Sequence, residues 1–182
     1  MKEGYFINFG TSGRTTALIA AALIGGATSV AAEEKIGEIF ATIDGEAFEW
    51  RALAPDADGT DYNTSLRFFG PMQSVSVMGF SPGQISMKQT IQITFTLTPG
   101  SLDTFEQEVI YAPEGMKRIW TSLPDDDLVT VESFEDTDAG GEVSGRFSGR
   151  LCLKESMFAE PDPDQCKDIE GSFASSLPEA TI

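Results

Sequence analysis

Polar and apolar residues alternate over much of the chain with a period of two, which is the pattern of half-buried β-strands. The clearest run spans residues 90–98, where β-branched and aromatic residues alternate with glutamine and threonine. Prolines interrupt the alternating segments at Pro55, Pro71, Pro82, Pro99, Pro113 and Pro124. Turn residues at this spacing leave room for strands but not for long amphipathic helices. The pattern predicts an all-β protein, an antiparallel β-sandwich of jelly-roll-like or immunoglobulin-like type with about nine strands.

The dipeptide Asp44-Gly45 separates two alternating segments and is typical of the type I′ turn in a two-residue hairpin. Such a turn fixes the pairing of the strands on either side. The predicted partners are Ile43 with Glu46, Ala41 with Phe48, Ile39 with Trp50 and Glu38 with Arg51. Because residues two apart share a face, the large apolar side chains of both strands then lie on one side. We therefore expect the Trp50 ring to be buried.

A second hairpin is predicted near the C terminus, where residues 143–151 and 169–177 follow the same pattern of apolar, glycine, phenylalanine and leucine positions. These positions are all odd-numbered and share a face, whereas Cys152 and Cys166 are even-numbered. If the two cysteines face each other in an antiparallel pair, Phe147 lies opposite Gly171 and Phe173 opposite Gly145. Each phenylalanine would then cover the bare backbone of a glycine, which is a way to fix strand register.

This pair of glycine–phenylalanine strands resembles the C-terminal hairpin of many small exported bacterial β-sandwich proteins of unassigned function. The resemblance covers residues 143–177 and depends on a simple motif. It implies a β-sandwich fold and an exported protein, and it implies no particular chemistry.

The N-terminal region has the features of a targeting segment. Lys2 and Arg14 precede an uncharged stretch whose apolar centre, 17–24, is too short to span a bilayer as a helix, which needs about 20 residues. Small residues follow and place a cleavage site at Ala31 or Ala32. We predict a signal peptide, 1–32, a single domain, 33–182, and a periplasmic or extracellular mature chain that does not insert into a membrane. The alternative is an N-terminal membrane anchor.

Charge and composition narrow the possible functions. Twelve Lys and Arg residues against 29 Asp and Glu residues give a net charge of −17, which argues against nucleic acid and anionic membranes as partners. The chain has no histidine, and this excludes histidine triads, histidine-ligated zinc and imidazole acid–base catalysis. Cys152 and Cys166 lie in the predicted exported part, so the simplest expectation is a structural disulfide between them.

An acidic loop is the candidate metal site. Asp56, Asp58 and Asp61 lie around one glycine, and calcium prefers several oxygen ligands from such a flexible turn. The order of residues departs from the EF-hand, in which the glycine follows the third acidic position and a glutamate closes the loop. The alternative interpretation is a solvated turn of an acidic protein. No cofactor is predicted apart from calcium bound in this loop.

Two aromatic residues and one group of carboxylates are the other candidates for chemistry. Trp120 and Tyr111 could stack on a sugar ring if they are exposed, and they could equally fill the core. Acidic residues around the first hairpin could act as a glycosidase pair at the separations such enzymes use. Their spacing does not match the alternating acids of jelly-roll glucanases, so this interpretation is the weaker one.

No catalytic constellation stands out from these patterns, whereas the signals for a β fold are consistent. We therefore expect a non-enzymatic binding or accessory module that recognises a protein or polysaccharide partner. The first alternative is a calcium-dependent carbohydrate-binding module that uses Trp120, Tyr111 and the loop around Asp56 and Asp61. The second alternative is a small glycosidase-like enzyme.

Overall fold

The computed structural model describes residues 34–55, 63–83, 85–137, 140–156 and 158–179. These residues form ten β-strands and no helix, which confirms the all-β prediction. The strands are β1 (Lys35–Ile43), β2 (Glu46–Leu53), β3 (Ser65–Phe69), β4 (Met72–Gly79), β5 (Thr90–Leu97), β6 (Thr104–Ala112), β7 (Ile119–Thr121), β8 (Val129–Thr137), β9 (Gly140–Lys154) and β10 (Asp162–Pro178). The predicted signal peptide, 1–32, and the acidic loop with Asp56, Asp58 and Asp61 lie outside the described residues.

All ten strands belong to one antiparallel sheet with the order β2-β1-β10-β9-β7-β6-β5-β4-β3. The long strand β9 has β10 on one side and two shorter strands on the other. Its C-terminal part pairs with β7, and its N-terminal part pairs with β8. β9 and β10 therefore connect the other strands of the sheet. Among the described residues, no helix is long and apolar enough to cross a membrane.

The sheet folds over on itself around one main hydrophobic core. Side chains from strands that are not neighbours in the sheet meet inside: the rings of Phe95 and Phe173 lie 6.0 Å apart, and those of Trp50 and Tyr111 lie 5.9 Å apart. A bridge between Arg51 and the residue after β4, Phe80, brings the two ends of the strand order together. Every long strand thus has an inward face in the core and an outward face.

The first hairpin has the predicted register. Asp44 and Gly45 form the turn with φ angles of 49° and 82°, as a type I′ turn requires. Ile43 pairs with Glu46, and the pairs predicted further along the hairpin are also present. Trp50 is 1% exposed, and its indole N–H donates a hydrogen bond to the carbonyl oxygen of Gln89 at 2.7 Å.

The C-terminal hairpin also has the predicted register. Cys152 and Cys166 are cross-strand partners joined by a disulfide, with their Cα atoms 4.0 Å apart. Phe147 pairs with Gly171, and Phe173 pairs with Gly145. A Cβ atom on Gly171 would lie 2.6 Å from the ring of Phe147, and one on Gly145 would lie 2.7 Å from the ring of Phe173. These two positions must therefore be glycine for the phenylalanines to lie where they do.

Candidate functional site

Tyr111 lies on the inward face of β6 and is 7% exposed. Its ring contacts the rings of Phe48 and Trp50, with centroid distances of 5.7 Å and 5.9 Å. Burial, followed by the nearby charge of Glu46, raises the pKa of the Tyr111 phenol above its ordinary value. Tyr111 is thus part of an aromatic cluster within the core.

Trp120 is the cross-strand neighbour of Tyr111, so the structure does bring the two predicted aromatics together. Trp120 is half-buried and packs against the core. The Lys167 ammonium lies 5.0 Å from the centre of the Trp120 ring and also forms an ion pair with Asp44 at 3.1 Å. A sugar that stacked on this ring face would have to displace the Lys167 side chain.

The carboxylates near the first hairpin have partners as well. Glu38 forms an ion pair with Lys35 at 2.6 Å. Asp44 accepts hydrogen bonds from the Lys167 ammonium and from the backbone N–H of Asp168. Among the described residues there is no group of three side chains that could hold a metal ion, and the acidic loop with Asp56, Asp58 and Asp61 lies outside them.

A different feature of the fold has the shape of a binding site. Three open depressions follow one another along the outward face of β1, β10 and β9, with volumes of about 460, 530 and 370 Å³. We call this surface the outer groove. Its middle part is lined by the outward side chains of Phe40, Thr42, Arg146, Ser148, Glu170 and Ser172.

Small side chains form the floor of the outer groove. On β10 the outward positions Ser172, Ala174 and Ser176 are all exposed, and Ser144 and Ser148 continue the floor on β9. Residues of this size leave a trough between the larger side chains on either side. The serine hydroxyls can both donate and accept hydrogen bonds, so the floor can contact a polar chain along its length.

One aromatic side chain projects from this polar floor. Phe40 is 43% exposed, and it lies beside Ser172, which in turn pairs with Arg146. An exposed ring amid hydroxyl groups offers apolar contact area at a single position. Phe40 is therefore the strongest candidate for an anchor point in the outer groove.

The sides of the groove carry both signs of charge. Arg146 forms an ion pair with Glu132 on β8, and the Thr42 hydroxyl donates a hydrogen bond to Glu170 at 3.3 Å. The groove extends from Ser176 to Asp168 along β10, which corresponds to about 26 Å at the usual rise of a strand. An extended chain of about eight residues has this length. The surface is long and shallow, and its middle part around Phe40 is mostly apolar.

Sequence reasoning missed the outer groove, although part of its signal is visible in the chain. The outward positions in the second half of β10, Ser172, Ala174 and Ser176, are unusually small, and Phe40 is an apolar residue on the outward side of β1. The chain matches no protein-family model, no curated protein and no solved structure. The function of the groove must therefore be argued from its own shape and chemistry.

Proposed function

We propose that this protein is an exported, non-enzymatic binding or accessory module that holds an extended polypeptide segment of a partner in the outer groove. The observation that carries the proposal is the shape of that groove: about 26 Å of open surface with a floor of small residues. Enzyme active sites are usually enclosed clefts, whereas this surface is shallow along its whole length. It suits recognition of a chain better than chemistry on a small molecule.

The choice of a polypeptide over a polysaccharide follows from the charges. Arg146 on β9 and Glu170 on β10 lie on neighbouring strands, so a chain bound in the groove would face charges of both signs. A polypeptide can present matching charges of both signs, and its backbone amides can bond to the serine hydroxyls. A neutral polysaccharide would partly desolvate these charged groups without offering charges of its own to them.

The calcium-dependent carbohydrate-binding module remains the second candidate. It is supported by the adjacent ring positions of Tyr111 and Trp120 and by the composition of the loop with Asp56, Asp58 and Asp61. The burial of Tyr111 and the position of Lys167 over Trp120 make it the weaker candidate. A small glycosidase-like enzyme ranks third, because the Glu38 and Asp44 carboxylates have basic partners.

The experiment is calorimetric titration with a panel of extended peptides and soluble polysaccharides, with and without calcium. We expect peptide binding that weakens at least about tenfold in Phe40→Ala, as loss of an aromatic anchor does. Ser172→Arg should block the groove and abolish the signal. Phe158→Ala is the matched control, since Phe158 is 94% exposed and lies in the loop between β9 and β10.

The outcomes separate the candidates. A peptide that binds both groove variants as tightly as the parent protein contradicts the proposal. Heat of polysaccharide binding that requires calcium and is lost in Trp120→Ala supports the second candidate instead. The proposed export is tested separately by mass spectrometry of the protein from cells, where an intact N terminus with Met1 and Lys2 would contradict a cleaved signal peptide.

A further inference from the structure

The outer groove is not uniform in charge along its length. The charged residues that line its middle part and the end near the β1–β2 turn are two basic and two acidic side chains, Arg146, Arg150, Asp168 and Glu170. Arg150 faces Asp168 directly, and Glu170 lies diagonal to both arginines across β9 and β10. Charges at opposed and diagonal positions of an antiparallel pair are close enough to interact. The two signs therefore offset one another in this part of the groove.

The opposite end of the groove, near Ser176, has an excess of negative charge. The charged residues that line it are Lys35, Glu38, Glu135 and Glu142. Lys35 and Glu38 form an ion pair with each other. Glu135 on β8 and Glu142 on β9 are exposed cross-strand partners, and neither forms an ion pair with another described residue. Two like charges thus face each other at this end.

The direct opposition of Glu135 and Glu142 is unfavourable for the sheet itself. Like charges opposite one another in an antiparallel pair are destabilising. The next outward pair of the same two strands, Ser133 and Ser144, instead forms a hydrogen bond of 2.7 Å between its hydroxyls. Positions at which a sequence departs from the stable choice are those at which a functional role is expected. A cation between the two carboxylates would relieve their repulsion.

The acidic end lies at a fixed distance from Phe40. Glu142 is the cross-strand partner of Ser176, and Phe40 is the partner of Ser172. Ser172 and Ser176 are four residues apart on β10, which corresponds to about 13 Å along a strand. A peptide extended along β10 advances by the same rise, so its residues i and i+4 reach the two positions from the same side of its backbone.

We propose that the segment bound in the outer groove carries an apolar residue and a lysine or arginine four positions apart. The apolar side chain contacts Phe40 in the apolar middle part of the groove, and the cation lies between Glu135 and Glu142. This inference rests on the proposed function and adds a recognition rule to it. Charge complementarity identifies the ligand, because an ammonium or guanidinium group relieves a repulsion that the free protein carries.

The geometry of the groove disfavours other separations. At three or five positions the two side chains leave opposite faces of an extended peptide. At two positions the cation lies beside either Ala174 and Ser144, which are uncharged, or Glu170, whose charge is offset by the two arginines. A separation of four in the opposite direction brings the cation to Asp168, which already faces Arg150.

The test uses capped nine-residue peptides that contain one leucine and one lysine in a serine and threonine background. The two residues are separated by two, three, four or five positions, in both chain directions. Affinity for the full protein is measured by fluorescence anisotropy with a chelator present, which keeps divalent cations off the carboxylates. We expect the separation of four to bind about fivefold tighter than the others, with a preference that decreases as salt rises.

Removal of the two carboxylates locates the effect. Glu135→Gln combined with Glu142→Gln should abolish the preference for a separation of four and leave the contribution of leucine intact. The double variant loses a repulsion, so it should be at least as stable as the parent protein. The matched control is Glu155→Gln with Glu160→Gln, which removes two exposed carboxylates from the β9–β10 loop and should retain the preference. This control separates a local site from the general attraction of lysine to a chain of charge −17.

The outcomes distinguish this inference from the proposed function. If peptides bind and require Phe40 but tolerate lysine at every separation, the recognition rule is wrong and the peptide groove is retained. The same conclusion follows if the variant at Glu135 and Glu142 keeps the preference, or if the control variant loses it equally. If no peptide shows binding that Phe40→Ala weakens, the proposed function is wrong and this inference is wrong with it.

Discussion

The outer groove and the outward side of β3, β4 and β5 are two outward surfaces of one sheet, and they differ in how charge is distributed. The groove is lined by charges of both signs, Arg146 and Glu170, whereas β3, β4 and β5 carry no acidic side chain and one basic side chain, Arg67. The alternation of inward and outward residues is the same in both. The alternation of residues therefore determines which side chains reach solvent, and the charges of those side chains determine which partners each surface can bind.

The strands at the margins show the same difference. β8 pairs with β9 and carries three acidic side chains, Glu132, Glu135 and Asp136. Charged residues on a marginal strand discourage pairing with another chain. β3, at the end of the strand order, carries Phe68 and Phe69 instead. The molecule protects one margin with carboxylates and leaves apolar side chains exposed at the other.

The largest expected effect comes from the core beneath the groove. Phe147 is 1% exposed and covers Gly171, so Phe147→Ala should lower the free energy of unfolding by about 4 kcal/mol. Phe40→Ala, on the outward side, should cost less than about 1 kcal/mol. Urea denaturation of both variants measures the difference. Similar losses of stability in the two variants would contradict the expectation that buried Phe147 contributes more to stability than exposed Phe40.

Loss of the disulfide should have the next largest effect. Replacing Cys152 and Cys166 together by serine should lower stability by about 3 kcal/mol, since the bridge closes a loop between residues 14 positions apart. Far-ultraviolet circular dichroism should be unchanged, because the strands share one core. A changed spectrum would contradict this expectation.

A smaller effect is expected at high pH. The raised pKa of Tyr111 means that the folded protein favours the neutral phenol. The stabilisation is complete below the ordinary tyrosine pKa near 10 and is lost as pH rises through the higher pKa of the folded state. Unfolding measured above pH 10 should show a decline that Tyr111→Phe reduces. An identical decline in both proteins would assign the effect to other groups.

The smallest effect is expected at the side of the groove. Arg146 and Glu132 form an exposed pair with side chains 70% and 42% accessible, and such pairs contribute about 0–1 kcal/mol. Arg146→Ala should therefore leave stability almost unchanged while weakening binding in the groove. Thermal unfolding and calorimetric titration separate these two effects. A large loss of stability would show that Arg146 has a structural role.

Both hairpin registers could be predicted because their information is local. Asp44-Gly45 fixes one register, and the glycine–phenylalanine pattern with the cysteines fixes the other. The order of the strands could not be predicted, because it depends on pairings such as β1 with β10 between distant parts of the chain. Local patterns determine which residues face each other within a hairpin, and the sheet order is a property of the whole chain.

The candidate site shows the same limit. The outer groove joins Phe40 with the cross-strand pair Arg146 and Ser172. The predicted register of the C-terminal hairpin places that pair together, but no sequence spacing reveals that Phe40 lies beside it. The pairing of β6 with β7 places Tyr111 beside Trp120, yet the exposure of these two side chains depends on how the sheet folds. The prediction of a structural disulfide is confirmed, because the register of the flanking strands constrains it. A contact within one hairpin can be predicted from the sequence, whereas a site formed by distant strands of the sheet cannot.

The pairing of β1 with β10 also constrains how the protein can be made. β1 pairs with β2 soon after both are synthesised, but its other edge pairs with β10, so that edge lacks its partner until the C-terminal hairpin has been made. Asp44 in the first turn binds Lys167 and the backbone of Asp168, and these contacts too must wait for the C-terminal segment. Such nonlocal contacts slow folding and leave early strands open to wrong partners. We therefore expect the open edge of β1 in a nascent chain to need protection from aggregation until β10 emerges.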